Sequence, residues 1–403
     1  MSLWKNRQYT QFFIASGIGN LGDWFDIFAL QIIFVHEFHA TPMLMSMLLL
    51  MLFLPGMLLG AVAGSIVDRM SRRNVMFITD AASTALTLGL FYTQSMTVAL
   101  ILLFARSAFG VFNNPAQNAY TKQIVSPEHM LKASSYRSVV FQLCKVFGPI
   151  LGASLLLIAS ARDCLMVNAI SFSISALLIA FLPKDMVPER STLHGKEKSS
   201  HWKQHFLEGI TFTLRHRVLC PVIFVSVGWF FLFMMFNAQL AIYLKHLLPA
   251  HVNALGYYLG CDGVGAAIIS ILISRRVMIK HYAAYYAPGL LLQGIAMLGL
   301  VLFPLHGSLL WLYGTATMMG VGAGTSIVIF NYALKKECTD SHAGRVSGTF
   351  GMLQNAAMVT GTLISGYMAV HFGIHCVFMG MVVAYVALSL LALLWMKPSE
   401  IIG

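Results

Sequence analysis

Apolar residues dominate the chain in runs of about twenty, each closed by a short polar break, and runs of that length match the thickness of a bilayer when helical. The pattern predicts twelve spans, over residues 9–35, 43–66, 74–93, 97–118, 135–159, 164–182, 217–244, 253–273, 284–304, 308–331, 346–370 and 374–396. One long polar stretch, LPKDMVPERSTLHGKEKSSHWKQH from Leu182 to His205, falls between the sixth and seventh spans. Pro183 and Lys184 mark the end of the sixth helix, and a short amphipathic surface helix is expected around Trp202 to Phe212. The expected organisation is a six-helix bundle over 1–182, a linker over 183–216 and a second six-helix bundle over 217–403.

The sharpest polar break is GSIVDRMSRR, from Gly64 to Arg73. Its Ser71-Arg72-Arg73 comes back as Ser274-Arg275-Arg276, in each case after the second span of its half. This repeat predicts an all-α membrane protein built as two pseudo-symmetric bundles, a pattern that places a substrate site near the midplane between the halves.

Composition agrees. The chain is 58% hydrophobic and 10% charged, with mean hydropathy +0.75, against roughly 25% charged in soluble domains. A net charge of +11 would suggest nucleic acid in a soluble protein, but here the basic residues lie in the short connections. With a cytoplasmic N-terminus, 22 of the 26 Lys and Arg fall on inside segments and their margins, and only Arg162 and Lys245 fall outside. The positive-inside rule then puts both termini in the cytoplasm. Arg106 and Lys145 lie within spans. The six cysteines are scattered without a CxxC pair, so neither a disulfide framework nor a zinc site is expected. The first apolar run is too long for a signal-peptide core and contains two aspartates.

Several motifs resemble those of the major facilitator superfamily. GSIVDRMSRR is similar to its loop signature, G-x-x-x-D-R-x-G-R-K/R, through Gly64, Asp68, Arg69, Arg72 and Arg73, with Ser71 in place of a glycine. Arg106 and Gly110 in LFARSAFG resemble the drug-exporter pattern of the fourth span, with Phe109 where glutamine is often found. GPILGA, through Gly148, Pro149 and Gly152, resembles the antiporter signature GPxxGG, with Ala153 in its last position. The run FNNPAQNAYTKQIVSPEHMLKASS is similar to the same stretch in macrolide-efflux and siderophore-exporter relatives. The resemblance implies alternating access, with the Gly64–Arg73 loop as a cytoplasmic latch, and favours export.

Asp23 and Asp26, in GNLGDWFDIFAL, share one helix face at i,i+3. Each acid deep in a span costs roughly 2.5–3.5 kcal/mol on insertion scales, so neither should face lipid. Two readings stand: a structural pair with Arg106 or Lys145, or a cavity carboxylate that exchanges a proton or holds a cation. Arg106 is the natural counter-ion because it stays charged. Lys145 could meet an anionic cargo, pair structurally or snorkel. Asp262 is the coupling or binding candidate of the second half, unless its neighbouring glycines simply mark close helix packing. Asn20, Trp24 and Trp229 are candidates to line a cavity. Asp68, in a wet loop, is suited to a latch formed with a helix N-terminus and arginines.

His36, His39, His246, His251, His306, His371 and His375 fall near outside connections and could sense pH or hold a metal, but His36-Glu37-Phe38-His39 lacks zinc-protease spacing. No metal or cofactor is expected. Nor is an enzyme: there is no GxSxG elbow, Walker A loop or nucleotide fingerprint, which leaves an ion gradient as the energy source. The sequence therefore reads as a monomeric proton-coupled antiporter in the bacterial cytoplasmic (inner) membrane, exporting amphipathic, drug- or macrolide-like molecules, with no nucleic-acid partner. The alternatives are export of a siderophore, metal chelate or metal ion, lysophospholipid transport, and a non-transporting receptor on the same fold.

Overall fold

The structure is a computed structural model describing residues 3–183, 211, 216–275, 279, 281–303, 307–337 and 340–396; side chains of 61 and 340–349 lie outside the description. Apart from 183, 211 and 216, the predicted linker and surface helix lie outside the described residues, as do Arg276, Lys280 and His306, and the repeat at Ser274 is described only as far as Arg275. Twelve long helices run through the described residues, with no strand among them. They are α1 (Arg7–Ile32), α2 (Pro42–Val67), α3 (Arg72–Tyr92), α4 (Met96–Ile124), α5 (Met130–Leu155) and α6 (Ala161–Ala180). The second half has α7 (Leu219–Leu247), α8 (Ala254–Ser274), α9 (Ala283–Val301), α10 (Leu309–Glu337), α11 (Asp340–Phe372) and α12 (Ile374–Trp395). Among the described residues eleven are long and apolar enough to cross a membrane; the exception is α11, which carries many Gly, Ser and Thr.

Local chemistry sets the helix ends. Asn6 caps α1 by accepting from the amides of Gln8 and Tyr9, while its own amide donates to Ile124 O at 2.9 Å. Ser71 accepts from Asn74 N and so caps α3, which gives a physical use for the serine that replaces the signature's glycine. Ser160 and Asp163 form a reciprocal capping box at α6. Gly373, with φ +81°, makes the left-handed turn between α11 and α12. The helices α4 and α11 run beyond the predicted spans because hydropathy reports contact with lipid, whereas a helix continues wherever its backbone bonds do.

Spatial proximity groups the chain into two units. The first comprises Met1–Ala40, Met47–Gly195 and Ala250–Gly256, and the second Thr41–Ser46, Lys196–Pro249 and Tyr257–Gly403. In the first, α1 packs along α5 and α6, and α3 along α4 and α6. The α1–α5 seam depends on small residues: a Cβ at Gly148 would collide with the Cβ of Trp24, and one at Gly152 would come within 2.7 Å of Phe28. The antiporter-type glycines thus seat α1 against α5.

In the second unit, α7 packs along α11 and α12, and α9 along α10 and α12. Gly320 and Gly324 of α10 sit against Asp262 O and Ala266 of α8, and Gly265 of α8 sits against Thr317 O. This is a small-xxx-small crossing, in which backbones approach because side chains are absent. The sequence's Gly320-x-Gly322-x-Gly324 is accordingly a packing surface on a helix.

The replacement Gly320→Val should cost about 1–3 kcal/mol by overpacking, while Gly380→Ala, at a position with nothing within 4 Å, should leave stability unchanged or raise it. Thermal unfolding of the detergent-purified protein measures both.

Candidate functional site

The densest polar cluster of the first unit lies where α1, α3 and α4 meet. Asp26 is fully buried and accepts a hydrogen bond from Arg106 Nη2 of α4, forming an ion pair inside the spans. Arg106 Nη1 lies 3.4 Å from Thr87 Oγ1 of α3. The second carboxylate oxygen of Asp26 has no hydrogen-bond partner among the described residues. An ion pair removed from water loses much hydration, and attraction at close range offsets that loss only while both partners are present.

Asp23, one turn earlier on α1, is half-buried and lies within electrostatic reach of Arg106, Asp26 and Asp80. Its carboxylate makes no hydrogen bond or ion pair among the described residues. Arg106 is thus committed to Asp26, with Asp23 in its field but not bonded to it. Asn20, half-buried on the same helix, donates to Ser16 O at 2.8 Å.

Asp80 of α3 is an acid that the sequence reading missed. It is buried, accepts from Ser175 Oγ of α6 at 2.6 Å and from Asn113 Nδ2 of α4 at 3.0 Å, and Gln117 Nε2 in turn donates to Asn113 Oδ1 at 3.1 Å. Its position more than two turns into α3 is the same cue that singles out Asp23. Thr87 and Asn113 carry no charge, and only the fold brings them to the acids.

The α5 candidates divide. Lys145 is half-buried and makes no hydrogen bond or ion pair among the described residues. Trp24, also half-buried, lies edge-on to Phe141 with ring centroids 6.0 Å apart. Gly148, Pro149 and Gly152 are buried in the seam described above. Along the α5 helix, Arg137 donates to Asn118 Oδ1 at 2.6 Å and to Asn114 Oδ1 at 2.9 Å.

The Gly64–Arg73 loop is also divided. Asp68 and Arg69 are exposed, and the Asp68 carboxylate has no partner among the described residues. Gly64 has open space where a Cβ would stand. Arg72 is buried, and Arg73 donates to the carbonyls of Ile179 and Ala180, closing the C-terminus of α6. A basic residue there also complements the helix dipole.

In the second unit, Asp262 is half-buried on α8, within electrostatic reach of the buried Tyr258 and Tyr385. Trp229 is 1% exposed and donates from its indole to Gln293 Oε1 of α9 at 2.8 Å. The structure therefore places this tryptophan in the packed interior of its unit. No three His, Cys, Asp or Glu side chains converge as metal ligands among the described residues.

A helical membrane protein with an ion pair held inside its spans is the class defined by this fold and cluster. The chain belongs to the Major Facilitator Superfamily of multi-pass membrane transporters, whose profile it matches over residues 12–355 and 250–401. It is 26% identical to the uncharacterised MFS-type transporter YfiS of Bacillus subtilis, over 99% of this chain and 95% of that one. It is 22% identical to macrolide efflux protein A of Streptococcus pyogenes, over 85% of each. The fold is similar to the crystal structure of the nucleoside transporter NupG, with TM-score 0.73 and 13% identity over 97% of this chain and 100% of that one.

Replacing one member of the buried pair, Asp26→Asn or Arg106→Gln, should cost about 3–5 kcal/mol by leaving a buried charge uncompensated. The double replacement should cost clearly less than the sum of the two. Thermal melts of the four proteins give this coupling, and strict additivity would show that the pair does not hold.

Proposed function

We propose that the protein is a proton-coupled antiporter of the bacterial cytoplasmic membrane, with both termini inside, working as a monomer by alternating access. Its two bundles are residues 1–182 and 217–403, joined by the 183–216 segment, and its cargo is an amphipathic small molecule of drug or macrolide type. The observation that carries this reading is the arrangement of Asp23, Asp26 and Arg106. Arg106 stays charged throughout and keeps Asp26 as its fixed counter-ion. Asp23 is the proton carrier: an unbonded carboxylate in an apolar span is costly when ionised, and protonation removes that cost.

A proton taken from outside then changes the charge balance around Arg106, and the two protonation states favour different arrangements of the helices that carry it. Asp80 is the second carboxylate available to such a relay. The efflux function of macrolide efflux protein A, together with the glycine seam of the antiporter signature, supports outward movement of cargo. Asp68, exposed and unbonded here, is proposed to engage a helix N-terminus as the latch of another state in the cycle.

Reconstitution into proteoliposomes with an imposed pH gradient and a radiolabelled macrolide tests the reading. Wild type should accumulate cargo only when the gradient is present. Asp23→Asn should lose gradient-driven accumulation yet keep cargo-for-cargo exchange. Flux indifferent to the gradient, or full gradient-driven flux by Asp23→Asn, would overturn the antiporter. For the latch, Asp68→Asn should slow turnover severalfold with cargo affinity unchanged, measured as kcat against KM; unaltered turnover rejects that role.

A further inference from the structure

The α5 helix carries two rows of side chains at i,i+4 spacing. Val139, Leu143, Phe147 and Leu151 are all exposed and apolar. The second row is Arg137, Phe141 and Lys145, with Phe141 exposed and the two cations half-buried. This row is cationic at both ends and aromatic in the middle, and it spans about 12 Å along the helix at 1.5 Å per residue. Lys145, deep in the span, is too costly to leave facing lipid, while Arg137 lies two turns from the start of α5.

Neither cation is neutralised. Arg137 is held by the side-chain carbonyls of Asn114 and Asn118, which are neutral acceptors; they fix the guanidinium in place and leave its charge. Lys145 has no hydrogen-bond or ion-pair partner among the described residues. It forms no ion pair with Asp23 or Asp26 among the described residues. Beside it the Trp24–Phe141 ring pair offers an apolar surface, and Gly148 holds Trp24 against α5.

We propose that Lys145 and the Trp24–Phe141 pair form a cargo subsite for an amphiphile bearing one anionic group. The apolar body lies against the two rings, and the anion, a carboxylate or its like, is bound by the Lys145 ammonium. Arg137 draws the anion in along the same row without surrendering its asparagine contacts. This rests on the antiport reading above and narrows its cargo: among amphipathic molecules, those with an anionic end are preferred over neutral counterparts and over basic ones such as amino-sugar macrolides.

The test uses the full-length protein in detergent with dansylphenylalanine and its neutral methyl ester, read by energy transfer from tryptophan to the dansyl group. Wild type should bind the acid about tenfold or more tightly than the ester, the scale of one charge-assisted contact. Lys145→Gln should abolish that preference by weakening the acid alone, Lys145→Arg should retain it, and Phe141→Ala should weaken both probes. Equal binding of acid and ester by wild type, no binding of the acid, or equal weakening of both by Lys145→Gln would each overturn the subsite. Because binding is read without a gradient, failure of the antiport reading shows separately, as loss of gradient dependence in the proteoliposome flux.

Discussion

A polar group inside an apolar span has no water to fall back on, and this constraint organises the first unit. Arg106 can occupy the middle of α4 because α1 brings Asp26 and α3 brings Thr87 to its guanidinium. Asp80 is tolerated in α3 because α6 and α4 supply Ser175 and Asn113. Each partner comes from a different helix, so satisfying these groups also fixes how α1, α3, α4 and α6 stand against one another. The cost of failure, a few kcal/mol per orphaned charge, is large against the total stability of a folded domain.

Close approach is the second requirement, and small residues provide it. Gly148 and Gly152 let α1 lie against α5, which places Trp24 beside Phe141 and holds the helix that carries Asp23 and Asp26. Gly320 and Gly324 do the same for α10 against α8, with the backbone of Asp262 at the crossing. In lipid there is little hydrophobic drive between helices, so van der Waals contact at such crossings has a correspondingly large share in association. At the helix ends the same economy of donors recurs: Arg73 closes α6, and Arg162 of α6 bonds Glu37 and the last carbonyls of α3.

The two units use duplicated architecture for different chemistry. Buried polar contacts of the second unit are largely neutral: Trp229 with Gln293, Ser226 with Tyr286, and Gln239 with Ser46 and Ser365. Neutral hydrogen bonds position helices without a titratable step. The first unit adds Asp23, Asp26 and Asp80 and the cations of α5, the groups on which the proposed proton exchange and anion recognition rest.

The sequence by itself determines the twelve helices and their approximate ends, because hydropathy over a bilayer-length run is a local property read one residue after another. It also picks out Asp23, Asp26 and Arg106, since an ionised group is conspicuous wherever lipid is expected. Asp80 obeys the same rule and was open to the same reading. The sequence offered Arg106 as a counter-ion, but which acid it takes was beyond it. That Arg106 takes Asp26 and leaves Asp23 unbonded, that Trp229 is packed away, and that Arg73 serves α6 are decided by tertiary structure. Partners such as Thr87, Asn113 and the Ala180 carbonyl are ordinary in the chain. They acquire a role only when helices distant in sequence bring them within hydrogen-bond reach.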